Sequence, residues 1–160
     1  MPNEDLPFIL PPDHEEEPEQ SIIFQSEEID FQLDNEAAVA EWIVSVINME
    51  KCRLTGVNFI FCSDDYLHQI NVTYLDHDTL TDIITFPYDD PPVIHGDIFI
   101  SIDRIRDNAT QLKTDFSTEL HRVIIHGVLH LCGYGDKTPE EKSRMTQKED
   151  NALQLYDQAS

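Results

Sequence analysis

Runs of alternating or continuous apolar residues predict short strands in the first two-thirds of the chain. These runs are rich in Ile, Val and Phe, and Gly or Pro lies beside several of their ends, as is typical of strands bounded by turns. The predicted strands cover residues 21–24, 29–33, 57–62, 83–86 and 96–102. The segment 88–92 is acidic and twice prolyl, which predicts a loop between the last two strands.

Five other segments carry apolar residues three or four positions apart, which is the helical spacing. The first helix follows Asp34 or Asn35, either of which can cap it, and runs to about Met49; its predicted inner face is Val39, Trp42, Ile43, Val46 and Ile47. The second follows the capping residue Ser63, with an inner face of Leu67, Ile70, Asn71 and Tyr74. Three more helices are predicted near 103–113, 116–132 and 138–157. Strands first and helices last indicate an α+β fold, with a small mixed sheet of about four strands flanked by about five helices.

The first twenty residues differ in composition from the rest of the chain. They hold five prolines and the acidic run Glu15-Glu16-Glu17, and this combination opposes both helix and sheet. We expect an acidic, Pro-rich tail over residues 1–20 and a single domain over residues 21–160. The 160 residues agree with one domain, since single domains usually span roughly 100–200 residues.

The charge of the chain is strongly negative, with 32 acidic against 10 basic residues and a formal net charge of −22. Such an excess should repel nucleic acid and anionic membranes, because phosphate binding depends on Lys and Arg. The excess is uneven: residues 1–50 hold 14 acids and no base, whereas residues 51–160 hold 18 acids and 10 bases. The charge therefore does not exclude an RNA enzyme. It predicts weak affinity for naked RNA and docking through a basic protein partner.

Cysteine usage and hydropathy indicate a cytoplasmic protein. Cys52, Cys62 and Cys132 are odd in number and form no Cys-x-x-Cys pair, so buried free thiols in a reducing compartment are the better interpretation. No apolar run reaches the roughly 18 residues of a membrane-spanning helix, and the N-terminal residues do not resemble a secretory signal. We expect no membrane partner.

The stretch from His126 to Asp136 has the spacing of a metal site. His126 and His130 are four residues apart on a predicted helix and so face the same way. Gly133 can end that helix in a left-handed conformation, which lets Asp136 fold back as a third ligand. Three protein ligands and an open position are typical of catalytic zinc, and metzincin enzymes use a similar layout. The alternatives are a histidine pair with ordinary hydrogen bonds and an Asp136 that only caps the next helix.

Gly127 follows the first histidine of this motif. Metalloproteases with the related motif carry a Glu there as general base, and glycine has no side chain to supply one. Peptide hydrolysis of that type would lack its base. A metzincin-like metallohydrolase of another specificity is kept as a third functional hypothesis.

Three motifs in this order resemble the YbeY family: TDIITFP at Thr81 to Pro87, GDIFIS at Gly96 to Ser101 and HGVLHLCGY at His126 to Tyr134. The resemblance covers about residues 21 to 157. It implies a zincin-like fold with one zinc ion in a cleft, and single-strand-specific, metal-dependent endoribonuclease activity in 16S rRNA processing and ribosome maturation or quality control. The implied partners are small-subunit ribosomal RNA and the small ribosomal subunit or its basic proteins, and no DNA is expected. His126 is both a candidate ligand and a candidate catalytic residue.

Two residues depart from the family's pattern. Asp136 stands where the usual third ligand is a histidine, and a carboxylate could shift the metal preference toward Mn²⁺ or another divalent ion. Leu75 stands where an N-x-x-Y/F-R pattern carries an arginine, and leucine cannot bind phosphate. Arg122, one turn before His126, is the candidate replacement; the alternative is an exposed arginine without a role. Leu75 also motivates the second hypothesis, a ribosome-associated binding protein with a structural or vestigial metal.

The remaining polar candidates are weaker. Thr81 and Asp82 could shape the cleft, hydrogen-bond a ligating imidazole or only cap a turn, and Asp97 is equally ambiguous. His77 and His95 are expected at the surface. His121 should point away from the metal face, and Tyr134 should pack beneath the glycine turn.

Overall fold

A computed structural model describes residues 22–75 and 81–159, so the predicted tail and His77 lie outside the described residues. The described residues form four strands and five helices, in agreement with the predicted α+β fold of about four strands and about five helices. In chain order they are β1 (Ile22–Glu27), α1 (Glu36–Met49), β2 (Arg53–Cys62), α2 (Asp64–Leu75), β3 (Ile83–Pro87), β4 (Val93–Ser101), α3 (Ile102–Leu112), α4 (Phe116–Leu131) and α5 (Pro139–Ala159). Among these residues, no helix combines the length and apolarity that crossing a bilayer requires.

The four strands form one mixed sheet in the order β1-β2-β4-β3. β1 pairs with β2 and β2 pairs with β4 in parallel, whereas β3 runs antiparallel to β4. Parallel neighbours need a crossover connection, and α1 supplies the crossover between β1 and β2. β3 pairs on one side only and is therefore an edge strand.

Helices cover both faces of the sheet. Successive side chains of each strand point to opposite faces, so apolar residues of one strand pack against helices on both sides. Ile98 and Ile100 of β4 belong to the main core, which also holds the buried residues of α1 and α4. Phe99, between them in sequence, packs into a smaller cluster built on Leu67 of α2 and Ile84 of β3. α2 therefore lies on the face opposite α4, with the edge strand β3 between the two helices.

The strand predicted over residues 29–33 is not present. The chain turns after β1 through Glu28, which has a φ of 57°, and Ser26 Oγ then donates a hydrogen bond to the Phe31 carbonyl. Phe31 and Leu33 still pack against the main core. Their alternation with polar residues thus reflects packing without a hydrogen-bonded neighbour strand.

Element ends differ from prediction by a few residues. β1 extends to Glu27, β2 begins at Arg53 and β4 begins at Val93, inside or beside segments predicted as loop. Ile102, predicted in the last strand, opens α3 instead, because Ser101 caps that helix by accepting a hydrogen bond from Arg104 N.

The two predicted caps had different outcomes. Ser63 caps α2 as predicted, accepting from Tyr66 N at 3.1 Å. Asn35 occupies the cap position of α1 but adopts a left-handed conformation, and its side chain makes no capping hydrogen bond. At this helix the sequence predicted the boundary correctly and the capping interaction wrongly.

The predicted inner face of α2 is correct for Leu67 and Asn71, which are buried. It is wrong for Tyr74, which is 67% exposed. The ring of Tyr74 reaches Phe86 of β3. Because β3 is the last strand of the sheet, no further strand among residues 22–75 and 81–159 covers the outer side of Tyr74.

Candidate metal centre

Helix α4, which carries both histidines, lies close against the sheet at Gly127. A Cβ added to Gly127 would come within 3.0 Å of Ile83 Cδ1 and 3.1 Å of Ile98 Cδ1. Both contacts are tighter than ordinary packing, and Ile98 is fully buried. A glutamate base at this position would meet the core rather than a substrate, so the packing agrees with the argument against a protease.

The glycine turn after α4 forms as predicted. Gly133 has a φ of +110°, a conformation that favours glycine. The Gly133 N–H donates to the His130 carbonyl and the Tyr134 N–H donates to the Leu129 carbonyl. This is the Schellman pattern, which ends the helix and reverses the chain so that Asp136 returns over the helix end.

The structure brings the three predicted ligands together. Asp136 Oδ2 lies 3.4 Å from His126 Nε2 and 3.4 Å from His130 Nε2. One ligand atom from each residue lies within 4.8 Å of the other two. Two donors bound to one tetrahedral zinc at about 2.0–2.2 Å lie about 3.3–3.6 Å apart. The spacing of these atoms therefore fits a single small divalent ion.

The Nδ1 atom of each imidazole already has a hydrogen-bond partner. His126 Nδ1 lies 2.6 Å from Glu149 Oε2, and His130 Nδ1 lies 2.8 Å from the Tyr134 carbonyl oxygen. A carboxylate and a carbonyl can only accept, so both Nδ1 atoms donate a proton. The Nε2 lone pairs are left facing Asp136, which is the arrangement that a metal-ligating histidine requires.

Glu149 of α5 was not predicted from the sequence. It is only 6% exposed and also accepts a hydrogen bond from Arg122 at 2.8 Å. Burial by itself lowers the pKa of His126, but the hydrogen bond and charge of Glu149 outweigh it and raise that pKa. A signal did exist: Met145, Glu149 and Ala152 recur at helical spacing, which places Glu149 on the buried face of α5.

Arg122, the candidate replacement for the arginine that is missing at Leu75, forms ion pairs with two carboxylates of α5. Its guanidinium donates to Glu149 and, at 2.6 Å, to Asp150. It does not line the cleft that holds the histidines. Its contact with that site runs through Glu149, and a direct part in catalysis stays a prediction.

The three candidate ligands line a cleft of about 620 Å³ along the edge strand β3. Leu75 lines it too, so this position of the N-x-x-Y/F-R pattern does face the cleft. Among the described residues that line it, Lys137 is the only cation, and sequence reasoning had not singled it out. The complete lining is Asn71, Leu75, Thr81, Asp82, Ile83, Ile84, Thr85, Pro87, His126, His130, Leu131, Asp136 and Lys137.

Thr81 and Asp82 shape this cleft, one of the roles that the sequence left open. Thr81 Oγ1 donates to the Ile83 carbonyl, and Asp82 accepts from Asn108 Nδ2 at 3.3 Å. Burial raises the pKa of Asp82. Asp97 lies outside the cleft lining, where it accepts hydrogen bonds from Asn58 and Tyr88.

His95, His121 and Tyr134 lie where the sequence placed them. His95 is at the surface and contacts Asp89. His121 points away from the metal face and packs between Trp42 and Tyr156. Tyr134 packs against the main core, and its hydroxyl donates to Glu50. The three cysteines are free thiols, but the predicted burial holds for Cys62 alone, since Cys52 and Cys132 are half-buried. Burial raises the pKa of the Cys62 thiol to about 12.

Comparison with known proteins identifies the family. The family described as Endoribonuclease YbeY matches residues 21–157. A protein of that name from Amoebophilus asiaticus is 51% identical over 133 residues, which cover 82% of this chain and 90% of the relative. Another from Cytophaga hutchinsonii is 49% identical over 140 residues, which cover 86% of this chain and 96% of the relative.

A solved structure supports the fold. The solution structure of TM1509 from Thermotoga maritima superposes with a TM-score of 0.63 at 24% sequence identity, covering 84% of this chain and 88% of that one. At this identity the likeness concerns the fold alone. The family match and the curated relatives go further, and together they show that the chain belongs to the endoribonuclease YbeY family.

Proposed function

We propose that this protein is a metal-dependent endoribonuclease that cleaves single-stranded regions of small-subunit ribosomal RNA during 16S rRNA processing and ribosome maturation or quality control. The observation that carries the proposal is the convergence of His126 Nε2, His130 Nε2 and Asp136 Oδ2 in one cleft. Family membership supplies the RNA chemistry, since the curated relatives are named endoribonucleases.

The ligand set supports one divalent ion, with zinc as the first candidate. Two imidazole nitrogens and one carboxylate oxygen are acceptable zinc ligands, and the carboxylate also makes Mn²⁺ a candidate. The ion would supply Lewis-acid chemistry at a phosphodiester oxygen. The cleft opens beside the three ligands, which leaves space for a substrate phosphate.

The chain's own residues hold and orient this centre. Glu149 and the Tyr134 carbonyl fix the two imidazoles through their Nδ1–H groups. Arg122 keeps Glu149 in place and partly neutralises its charge. Lys137, on the cleft wall, is the cation best placed to contact a substrate phosphate in a site where Leu75 cannot.

Partners and location follow from the same proposal. The chain would meet small-subunit ribosomal RNA in the cytoplasm, on the small subunit or beside its basic proteins. Its net charge of −22 supports a basic protein partner, because opposite charges steer association, whereas naked RNA carries the same negative charge and is repelled.

Leu75 on the cleft wall favours one second candidate, a ribosome-associated binding protein whose metal is structural. A metallohydrolase acting on peptides is less favoured, because Gly127 has no side chain to act as the base and a Cβ there would be crowded by Ile83 and Ile98.

Metal analysis and a cleavage assay test the proposal together. We expect about one divalent ion per chain by elemental analysis, loss of single-stranded RNA cleavage on chelation, and recovery with Zn²⁺ or Mn²⁺. His126→Ala, His130→Ala and Asp136→Ala should each abolish cleavage, whereas the surface control His95→Ala should not. Cleavage that survives the first three substitutions contradicts the proposal, and stoichiometric metal without cleavage supports the binding-protein alternative.

A further inference from the structure

The last turn of α2 places an exposed aromatic ring beside the metal cleft. Leu75 and Asn71, one turn apart, line the cleft, and Tyr74 is next to Leu75 on the helix surface. Tyr74 is 67% exposed although the helical pattern places it among apolar inner-face residues. Tyr74 is not itself a lining residue, but a large exposed ring beside a cleft is suited to binding a flat ligand.

The Tyr74 ring is held in place without being covered. It meets Phe86 of β3 edge-to-face, with ring centroids 6.2 Å apart. Phe86 is itself anchored edge-to-face on Phe99, at 5.7 Å. Thr85 and Pro87, the neighbours of Phe86 on the strand, line the cleft. One edge strand thus connects the aromatic ring on the α2 side with the histidines on the α4 side.

The charges of the cleft make conventional phosphate binding weak. Its lining holds the carboxylates Asp82 and Asp136, and Lys137 is the only cation among the described lining residues. Arg122 is paired with Glu149 and Asp150. Affinity for RNA that depends on neutralising phosphates requires many Lys and Arg contacts, and this cleft offers one.

We propose that Tyr74 is a stacking subsite that binds one nucleobase of single-stranded RNA next to the metal cleft. The inference rests on the proposed function, because single-stranded RNA as the ligand of this cleft comes from that proposal. Bases in single strands can splay out and stack on an aromatic side chain, whereas bases in a duplex are already stacked on each other. The subsite therefore selects single strands by base stacking and uses few phosphate contacts.

Binding of a short uridine oligonucleotide to the metal-loaded protein tests this subsite. Tyr74→Leu keeps the apolar bulk and removes the aromatic face, and we expect its Kd to rise roughly 5- to 100-fold. Tyr74→Trp should bind as tightly as the wild type or more tightly. Tyr88→Leu is the matched control, because Tyr88 is also an exposed tyrosine, but its ring contacts His95 and its hydroxyl donates to Asp97, away from the end of α2.

A probe without bases separates stacking from phosphate binding. An abasic oligonucleotide of the same length and charge should bind the wild type and Tyr74→Leu equally and weakly. The wild-type Kd for the uridine oligonucleotide should change little with salt. The slope of log Kd against log salt concentration should correspond to about one phosphate contact. The proposal is wrong if Tyr74→Leu binds the uridine oligonucleotide as tightly as the wild type does. It is also wrong if Tyr74→Leu loses as much affinity for the abasic probe, or if the salt dependence of the wild-type Kd corresponds to many phosphate contacts.

The outcome also separates this inference from the proposed function. If the wild type cleaves RNA and Tyr74→Leu neither weakens binding nor raises the KM, the subsite is wrong and the nuclease stands. If Tyr74→Leu weakens RNA binding but no cleavage depends on His126 and His130, the subsite stands and the nuclease is wrong. A wild type that binds no RNA contradicts both.

Discussion

The two imidazoles of the candidate centre are oriented by acceptors of different origin. His130 donates to the Tyr134 carbonyl, four residues away, and the turn at Gly133 places that carbonyl. His126 donates to Glu149, which belongs to another helix and is 23 residues away. The orientation of His130 is therefore local, whereas that of His126 depends on how α5 packs against α4.

Removing the Glu149 carboxylate tests this dependence. We expect Glu149→Ala to weaken Zn²⁺ affinity about 10- to 100-fold, because the His126 ring loses the acceptor that fixes its tautomer. Competition with a chromophoric chelator measures the affinity. The control Asp150→Asn alters the other, exposed partner of Arg122 and should change it little. Equal affinity in Glu149→Ala and wild type would contradict the role.

Leu75 allows the opposite experiment, in which a missing cation is supplied. Leu75→Arg places a guanidinium on the cleft wall, where it can bind a substrate phosphate. We expect kcat/KM for single-stranded RNA to rise several-fold and the salt slope of binding to steepen by about one. Val72→Arg, an exposed position of the same helix outside the cleft lining, is the control. An equal effect at both positions would show only general charge attraction.

The sequence predicted the parts of the site that are close together along the chain. His126, His130, Gly133 and Asp136 lie within eleven residues, and helix geometry with one left-handed turn is enough to bring them together. Glu149 could not be assigned in the same way, because its partner depends on the packing of two helices. Its burial could be read from helical spacing, but its contact with His126 could not.

At the scale of elements, the edge strand β3 organises the cleft. α4 approaches it closely at Gly127, where a Cβ would lie only 3.0 Å from Ile83 Cδ1. α2 reaches it from the opposite face, where Tyr74 touches Phe86. In the part of the chain that the structure describes, the cleft therefore runs along the side of β3 that has no neighbouring strand, and its two walls come from opposite faces of the sheet.

The sequence could not predict this arrangement of elements, because apolar spacing reports burial and does not report hydrogen-bonded neighbours. The alternation around Phe31 and Leu33 suggested a strand and belongs to a segment that packs without one. Tyr74 fits the inner face of α2 by spacing, yet the sheet ends beside it. Both errors lie at edges of the sheet, where the order of strands decides what a side chain meets.

His121 links three helices and gives a pH-dependent contribution to stability. It lies between Trp42 of α1 and Tyr156 of α5, and burial lowers its pKa despite the nearby charge of Asp157. Below the usual histidine pKa of about 6.5, the unfolded chain then binds more protons than the folded chain, so stability falls as the pH falls.

The variant His121→Phe isolates this contribution. It keeps an aromatic ring between the helices and cannot take up a proton. Between about pH 7.5 and about pH 5.5, we expect the wild type to lose about 1 kcal/mol more unfolding free energy than the variant. Urea denaturation at both pH values measures the difference. An equal loss in the two proteins would mean that His121 keeps an ordinary pKa.

At the scale of the whole molecule, the negative charge and the candidate activity have to be reconciled. The body from residue 51 onward has 18 acids against 10 bases. Several of these acids are engaged in the site: Asp136 faces the two histidines, and Glu149 and Asp150 pair with Arg122. The first fifty residues hold 14 acids and no Lys or Arg, so any basic partner must come from elsewhere in the chain, as Lys148 does for Glu50.

Removal of residues 1–20 tests whether this charge limits association with RNA. The segment holds seven Asp and Glu and no Lys or Arg, so the net charge changes from −22 to −15. We expect stopped-flow association with single-stranded RNA to become several-fold faster at low salt, and the difference to vanish in high salt, because ions screen long-range repulsion. A full-length control with these seven residues changed to Asn or Gln keeps the chain length and should behave like the truncation. Acceleration in the truncation alone would mean that the segment obstructs the RNA by its bulk rather than its charge.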